Sequence, residues 1–212
     1  MSLAEARQHM LKDHLMARGV HDERVLAAMA QVPRERLIAP ALYSAAYDDR
    51  ALPIDAGQTI SQPYIVALTA QELKLSPTDR LLEIGTGSGY AAAIYAELVS
   101  RVYTMERHAE LAERARGHLT ELGYRNIEVR CGDGTLGWAE HAPYQAIAVA
   151  AAGPVVPPAL LAQLAVGGRL IMPVGGPDLQ HLLRVTRSSP STLTQEDLGA
   201  VQFVPLISDP ER

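Results

Sequence analysis

A chain of 212 residues, 48% hydrophobic and 20% charged, has room for one sizeable α/β domain and the composition of an ordinary globular protein. Its formal net charge of −5 argues against a nucleic-acid-binding surface, and no apolar run is long enough to span a bilayer. The single cysteine, Cys131, excludes an internal disulfide and suits a reducing cytoplasm, and the opening residues 1–12 lack the apolar core of a secretion signal.

Residues 3–18 predict a helix, with Ala6, Met10, Leu11, Leu15 and Met16 at helical spacing and Gly19 to end it. Asp22 is placed to cap a second helix carrying Val25, Leu26, Met29 and Val32, which Pro33 stops. Residues 34–53 are less regular. Tyr43 and Tyr47 are expected anchors there, and Asp48, Asp49 and Arg50 a solvated turn. The stretch 52–64 is polar and punctuated by glycine and proline. It precedes a helix at 64–73, which Ser61 or Gln62 is placed to cap with Pro63 in the first turn. Such a segment is either a surface connection or a loop laid over a ligand site.

From residue 80 the pattern alternates. Strands are expected at 81–84, 102–105, 127–130, 146–150, 169–174, 182–186 and 200–205, with helices at 91–98, 109–122 and 158–164. Strand–helix alternation at this spacing predicts a doubly wound, mostly parallel seven-stranded α/β sheet with helices on both faces. The last strands have no helix between them and are expected to pair antiparallel. The chain therefore reads as one domain, 1–212: a helical extension and loop (1–79) followed by an α/β core (80–212).

Three strand ends carry chemistry. After Leu81-Leu82-Glu83-Ile84 comes Gly85-Thr86-Gly87-Ser88-Gly89-Tyr90, a turn whose alternating glycines let a ligand lie against bare main chain at a helix N-terminus. The spacing is G-x-G-x-G, not the G-x-G-x-x-G of dinucleotide binders, and no Lys-Ser or Lys-Thr follows to hold a nucleotide phosphate. The second end gives Glu106, an acceptor for a ribose diol or a plain surface acid. The third gives Gly132-Asp133-Gly134, suited to an adenine amino group and ring nitrogen, or simply to a turn. Together the three describe an adenosine pocket without phosphate partners, which suggests S-adenosylmethionine, with Glu83 within reach of its ammonium directly or through water.

With these segments in place, the chain resembles the protein-L-isoaspartate O-methyltransferases from about Val20 to Leu206. The resemblance is carried by Val32-Pro33-Arg34-Glu35, Ala51-Leu52-Pro53-Ile54, Gln58-Thr59-Ile60-Ser61-Gln62-Pro63-Tyr64, the glycine-rich stretch, Gly132-Asp133-Gly134, Pro154-Val155-Val156-Pro157, Gly167-Gly168-Arg169-Leu170 and Val204-Pro205-Leu206. The glycine motif is shared by many methyltransferases; the Thr-Ile-Ser segment is much more specific. The resemblance implies methyl transfer to the free α-carboxylate of L-isoaspartyl, and less well D-aspartyl, residues in damaged proteins, followed by closure to a succinimide. It places Ser61 at the active site and Gly85, Gly87, Gly89, Glu106, Asp133 and Gly134 at the cofactor, where Glu83, Thr86 and Ser88 are also expected from their place in and before the glycine turn. Thr59, Ile60, Val204, Pro205 and Leu206 are then positioned to pin the substrate main chain by strand-like pairing. A monomer is expected, acting on isoaspartyl peptides, with no nucleic-acid or membrane partner.

The chain departs from that family in two places. Gln145 stands where an Asp is common, which puts support of the cofactor end of the sheet in question, and Ala150-Ala151-Ala152-Gly153 is slightly altered in order. The seven histidines are scattered without metal-ligand spacing, so no metal is predicted, and Cys131 is expected as a small buried residue. Two other functions fit the same cofactor residues: a small-molecule methyltransferase with residues 59–61 as a lid, and a binding module without chemistry.

Overall fold

The computed structural model describes residues 1–208. The expected domain span runs to 212, and its last four residues lie outside the described ones.

Ser2 opens α1 (Leu3–His9) through a reciprocal box: the Glu5 N–H donates to Ser2 Oγ and the Ser2 N–H to Glu5 Oε2. The run continues as a wider π turn (Met10–Leu15) and a 3-10 turn (Met16–Arg18), and ends at Gly19 as the spacing predicts. Asp22 caps α2 (Glu23–Gln31), accepting from the Arg24 and Val25 N–H groups. Of the two expected anchors only Tyr47 is buried; its hydroxyl bridges Arg7 and Glu35, whereas Tyr43 is exposed. The expected solvated turn is half correct. Asp49 accepts from Arg18 at 2.6 Å, leaving Asp48 and Arg50 in solvent.

Leu52–Pro53 (β1) and Thr59–Ile60 (β2) form a two-stranded antiparallel ribbon ahead of α3 (Pro63–Glu72). Gln62 occupies the N-cap of α3, but neither expected cap is made by a side chain. The Gln62 amide instead donates to the Asp49 carbonyl at 2.9 Å, tying the segment before α3 back to the extension.

The main sheet has seven strands in the order β5-β4-β3-β6-β7-β8-β9. Four of them, β3 (Arg80–Ile84), β4 (Arg101–Glu106), β5 (Ile127–Cys131) and β6 (Tyr144–Val149), pair parallel, and β7 (Leu164–Gly175) joins β6 in parallel. Helices α4 (Tyr90–Ala96), α5 (Ala109–Glu121) and α6 (Pro158–Gln163) lie between these strands in sequence. Side chains that alternate along each strand separate into two cores. Leu81, Val102, Ala146 and Ile171 join the core shared with α1–α4, while Leu82, Tyr103, Ile147 and Leu170 join the one beneath Trp138 and Leu160. The first core runs without a break from Met10 and Val25 to Leu182, so the extension is packed on the sheet rather than tethered to it.

Four details differ from the sequence pattern. β7 starts at Leu164, assigned above to the helix. The last strand is not 200–205 but β9 (Thr192–Val201), which forms a hairpin with β8 (Gln180–Ser189). As the outermost strand with mostly exposed side chains, β9 lacks the apolar alternation that marks a half-buried strand. Residues 204–206 instead lie beside Ala152: its N–H donates to the Val204 carbonyl and its carbonyl accepts from the Leu206 N–H, at 2.8 and 2.7 Å. Cys131 is exposed, because β5 is the other edge of the sheet. Gln145 stands at the start of β6, the end of the sheet away from the strand carboxyl termini, where its Oε1 accepts the Arg80 N–H at 2.9 Å. It therefore stands at the opposite end of the strand from the one where its effect was expected.

Candidate active site

A ligand of a doubly wound sheet lies beyond the carboxyl ends of the strands, and there the structure opens a cleft with about 950 Å³ of empty space, solvent at its mouth included. Its floor and one wall are Gly85, Thr86, Gly87 and Ser88 after β3, Met105 and Glu106 at the end of β4, Gly134 after β5, and Ala150 and Ala151 after β6. Across from them stand Gln58, Thr59, Ile60 and Ser61, with Val204, Pro205, Leu206 and Ile207. Two segments more than a hundred residues apart in sequence thus close over one site.

The turn after β3 is fixed by backbone. Gly85 N–H donates to the Met105 carbonyl at 2.8 Å, and Gly87 N–H donates to Glu106 Oε2 at 2.9 Å. Gly87 has φ +53°, and a Cβ there would stand 3.4 Å from Ile54 Cδ1, so a side chain at this position meets both strain and the opposite wall. Glu106 also accepts the His108 N–H at Oε1, 3.0 Å away. Each carboxylate oxygen is held by one backbone donor and keeps further acceptor capacity, because an ionised carboxylate offers about four lone-pair sites. Gly134 is packed so closely that a Cβ would come within 2.3 Å of Ile84 Cγ2.

The predicted residues divide cleanly. Thr59, Ile60, Ser61, Gly85, Thr86, Gly87, Ser88, Glu106, Gly134, Val204, Pro205 and Leu206 all line the cleft. Glu83, Gly89 and Asp133 do not. Gly89 is the N-cap of α4, set against Leu119 of α5. Asp133 caps the short turn Gly134–Leu136, accepting from the Thr135 N–H and Oγ1 at 2.8 and 2.7 Å. Glu83 is 1% exposed and withdrawn behind the wall. A chain of hydroxyls links it to the cleft: Thr104 Oγ1 donates to Glu83 Oε2 at 2.5 Å and shares a 2.6 Å hydrogen bond with Thr86. Burial pushes the Glu83 carboxyl up to about 8; the Thr104 hydroxyl opposes the rise and Glu106 adds to it.

Gln58, Met105, Arg107, His108 and Ile207 line the cleft and were not singled out from sequence. Arg107 and His108 follow Glu106 directly, so the strand-end position was the signal for both. Arg107 brings a guanidinium to this lining. The strand-like role of residues 204–206 is also narrower than expected. The Val204 carbonyl and Leu206 N–H are committed to Ala152, and Pro205, facing the other way, has a carbonyl but no N–H. Among the described residues, no group of three or more His, Cys, Asp or Glu stands together to hold a metal ion, and no helix is long and apolar enough to cross a membrane.

Comparison with known proteins agrees with this fold. The family model for protein-L-isoaspartate(D-aspartate) O-methyltransferase (PCMT) matches residues 5–211. The chain is 58% identical over 207 residues to protein-L-isoaspartate O-methyltransferase 1 of Geotalea uraniireducens (strain Rf4), covering 97% of this chain and 94% of that one. One solved structure, a protein-L-isoaspartate O-methyltransferase, superposes with a TM-score of 0.84 at 29% identity; the match covers 94% of this chain and 65% of that one. A Plasmodium falciparum protein, described as a protein-L-isoaspartate O-methyltransferase and solved with S-adenosyl-L-homocysteine, also superposes with a TM-score of 0.84, at 26% identity over 96% of this chain and 99% of its own.

Proposed function

The chain belongs to the protein-L-isoaspartate O-methyltransferase family, and we propose that its cleft transfers a methyl group from S-adenosylmethionine to the free α-carboxylate of L-isoaspartyl, and less well D-aspartyl, residues in damaged proteins. The methyl ester then closes without the enzyme to a succinimide, which reopens in part to normal aspartate. The observation that carries this reading is the meeting of the Thr59–Ile60 ribbon and Ser61 with the glycine turn and Glu106 across one cleft.

The residues fit the cofactor. Glu106, immobilised by two backbone N–H groups, retains acceptor sites for a ribose diol. The bare main chain from Gly85 to Ser88 accommodates the amino-acid end, and Gly134 lies where an adenine edge would meet backbone. Asp133 contributes by shaping that turn, and Gly89 by starting α4 beneath it. Glu83 acts at one remove, through Thr104 and Thr86. When bound, the cofactor supplies an electrophilic methyl group on a sulfonium.

What remains for the protein is positioning. A substrate carboxylate, with an ordinary pKa of ~4, is already ionised near neutrality, so no strong general base is required. Ser61 donates a hydrogen bond that holds the carboxylate in line, and orienting two reactants in this way is worth effective molarities on the order of 10⁵–10⁸ M. Ser61 serves as a hydrogen-bond donor and not as a covalent nucleophile, because a single in-line displacement carries the methyl group from sulfonium to carboxylate and leaves no step for a serine adduct. The Thr59–Ile60 backbone and the Pro205 carbonyl hold substrate main chain, a mode indifferent to neighbouring side chains. The reading extends to one domain, 1–212, in which the helical extension shares a core with the α/β sheet, and to a monomer in a reducing cytoplasm, where the exposed Cys131 stays a free thiol.

The test is incorporation of a mass-labelled methyl group into an isoaspartyl peptide and its normal aspartyl twin. Selective labelling of the isoaspartyl peptide is expected; labelling of neither, with turnover of a small acceptor instead, would establish the small-molecule alternative.

A further inference from the structure

Glu83 sits in the middle of the sheet although a carboxyl group taken out of water without partners is costly. The β3–β4 register sets it opposite Thr104, which engages Oε2. Oε1 is buried with no partner among the described residues. Three small side chains lie near it, Ala148 as its register partner on β6, Ala91 on α4 and Ala150 after β6, alongside the larger Ile65, Tyr95 and Phe203. They leave a cavity of about 20 Å³ that also reaches Ser61. A void of roughly 10–15 Å³ on this measure holds one water, provided two to four polar groups face it. Here Glu83, Ser61, Thr69 and Tyr95 are in the lining.

Taking the carboxylate-holding role of Ser61 proposed above, the geometry points to Glu83 as a positioning residue: one buried water, held by Glu83 Oε1 in this cavity, orients the Ser61 hydroxyl toward the substrate carboxylate. The direction of the hydrogen bonds follows from the partners. Oε2 accepts from Thr104, so in the protonated acid Oε1 carries the hydrogen. Burial keeps that proton on near neutrality. Glu83 then donates to the water and the water donates to Ser61 Oγ, which leaves the Ser61 hydrogen for the substrate. The same carboxyl group, through Thr104 and Thr86, touches the glycine turn. One buried acid thereby braces both walls of the cleft.

The test is a double-mutant cycle on peptide binding, read by calorimetry on protein loaded with S-adenosylhomocysteine. Glu83→Met keeps the volume and removes the hydrogen bonds; it is expected to weaken isoaspartyl-peptide affinity by about tenfold in the wild-type background and by less than about twofold in Ser61→Ala. Glu83→Gln, which can still donate to a water, is expected to stay within about threefold of wild type. Losses that add in the double variant, a Gln variant as weak as the Met variant, or a Met variant altered in cofactor affinity alone would each overturn the role. Independently, a high-resolution crystal structure of the wild type should show a water within hydrogen-bond reach of both Glu83 Oε1 and Ser61 Oγ, and its absence would overturn the bridge. Wild-type protein that holds this water but binds no isoaspartyl peptide would refute the methyl-transfer reading itself, and this role of Glu83 with it.

Discussion

The two walls of the cleft are built in opposite ways. The sheet wall is backbone: strands of five or six residues, a turn locked by Gly85 and Gly87 N–H groups, and a Glu106 carboxylate held at both oxygens. The facing wall is a two-residue ribbon, a proline-punctuated loop and the segment 204–207, with Thr59 exposed and Ser61 only half-buried. The difference matches what each side handles. A donor that is the same in every turnover rewards a site held rigid by buried hydrogen bonds. An acceptor that arrives on any damaged chain rewards a site that fixes one carboxylate and some main chain and leaves neighbouring side chains unread.

That contrast can be broken from either side. The largest effect is expected on the sheet wall. Glu106→Ala removes the acceptor of the ribose hydroxyls and frees the Gly87 N–H, so calorimetric affinity for S-adenosylhomocysteine should fall on the order of a hundredfold; unchanged affinity would show that the ligand lies elsewhere. Behind that wall the titration of Glu83 sets a pH dependence of stability. Between its ordinary value of 4.5 and about 8 the folded chain keeps a proton that the unfolded chain has lost, so stability falls as pH rises through that window. Glu83→Gln has no proton to lose. Thermal unfolding should therefore show the variant gaining on the wild type by about 1.4 kcal/mol for each pH unit crossed within that window, and parallel curves would contradict the buried, raised carboxyl. Gly134→Ala drives a methyl into Ile84, and a loss of roughly 1–2 kcal/mol in denaturant melts is expected, with weakened cofactor binding as the Ile84 side of the cleft shifts. Least of all, Gln145→Asp should leave cofactor affinity unmoved and change stability by less than about 0.5 kcal/mol, since residue 145 serves the far end of β3. Tighter cofactor binding in that variant would reverse the placement.

Legibility in the sequence followed the same division. The sheet wall was readable because local rules dictate it: apolar strands, a glycine turn and an acid at the next strand end recur at fixed offsets, and Gly85 to Ser88, Glu106 and Gly134 stand where those rules put them. For Asp133 and Glu83 the residue type alone does not show that one side chain caps its own turn and the other is buried behind the strand, which leaves Glu83 the indirect one of the two routes, direct or through water, open to it from sequence. The facing wall has no periodic signal. Thr59, Ile60 and Ser61 were identified through family resemblance, and the commitment of residues 204–206 to Ala152 is a long-range pairing no local pattern announces. β9 was misplaced for a related reason, since an edge strand with exposed side chains on both faces carries no alternation to read. Gln145 misled because its neighbours in sequence say nothing about which end of the strand meets the ligand.

The measurement that tests the division of labour most directly is the behaviour of Ser61→Ala, with affinity for S-adenosylhomocysteine and kcat/KM for an isoaspartyl peptide determined on the same protein. Separate walls predict cofactor affinity within about twofold of wild type and kcat/KM lowered by about thirtyfold, the worth of one hydrogen bond to a charged group. Unchanged kcat/KM, or a loss carried by cofactor affinity, would contradict it.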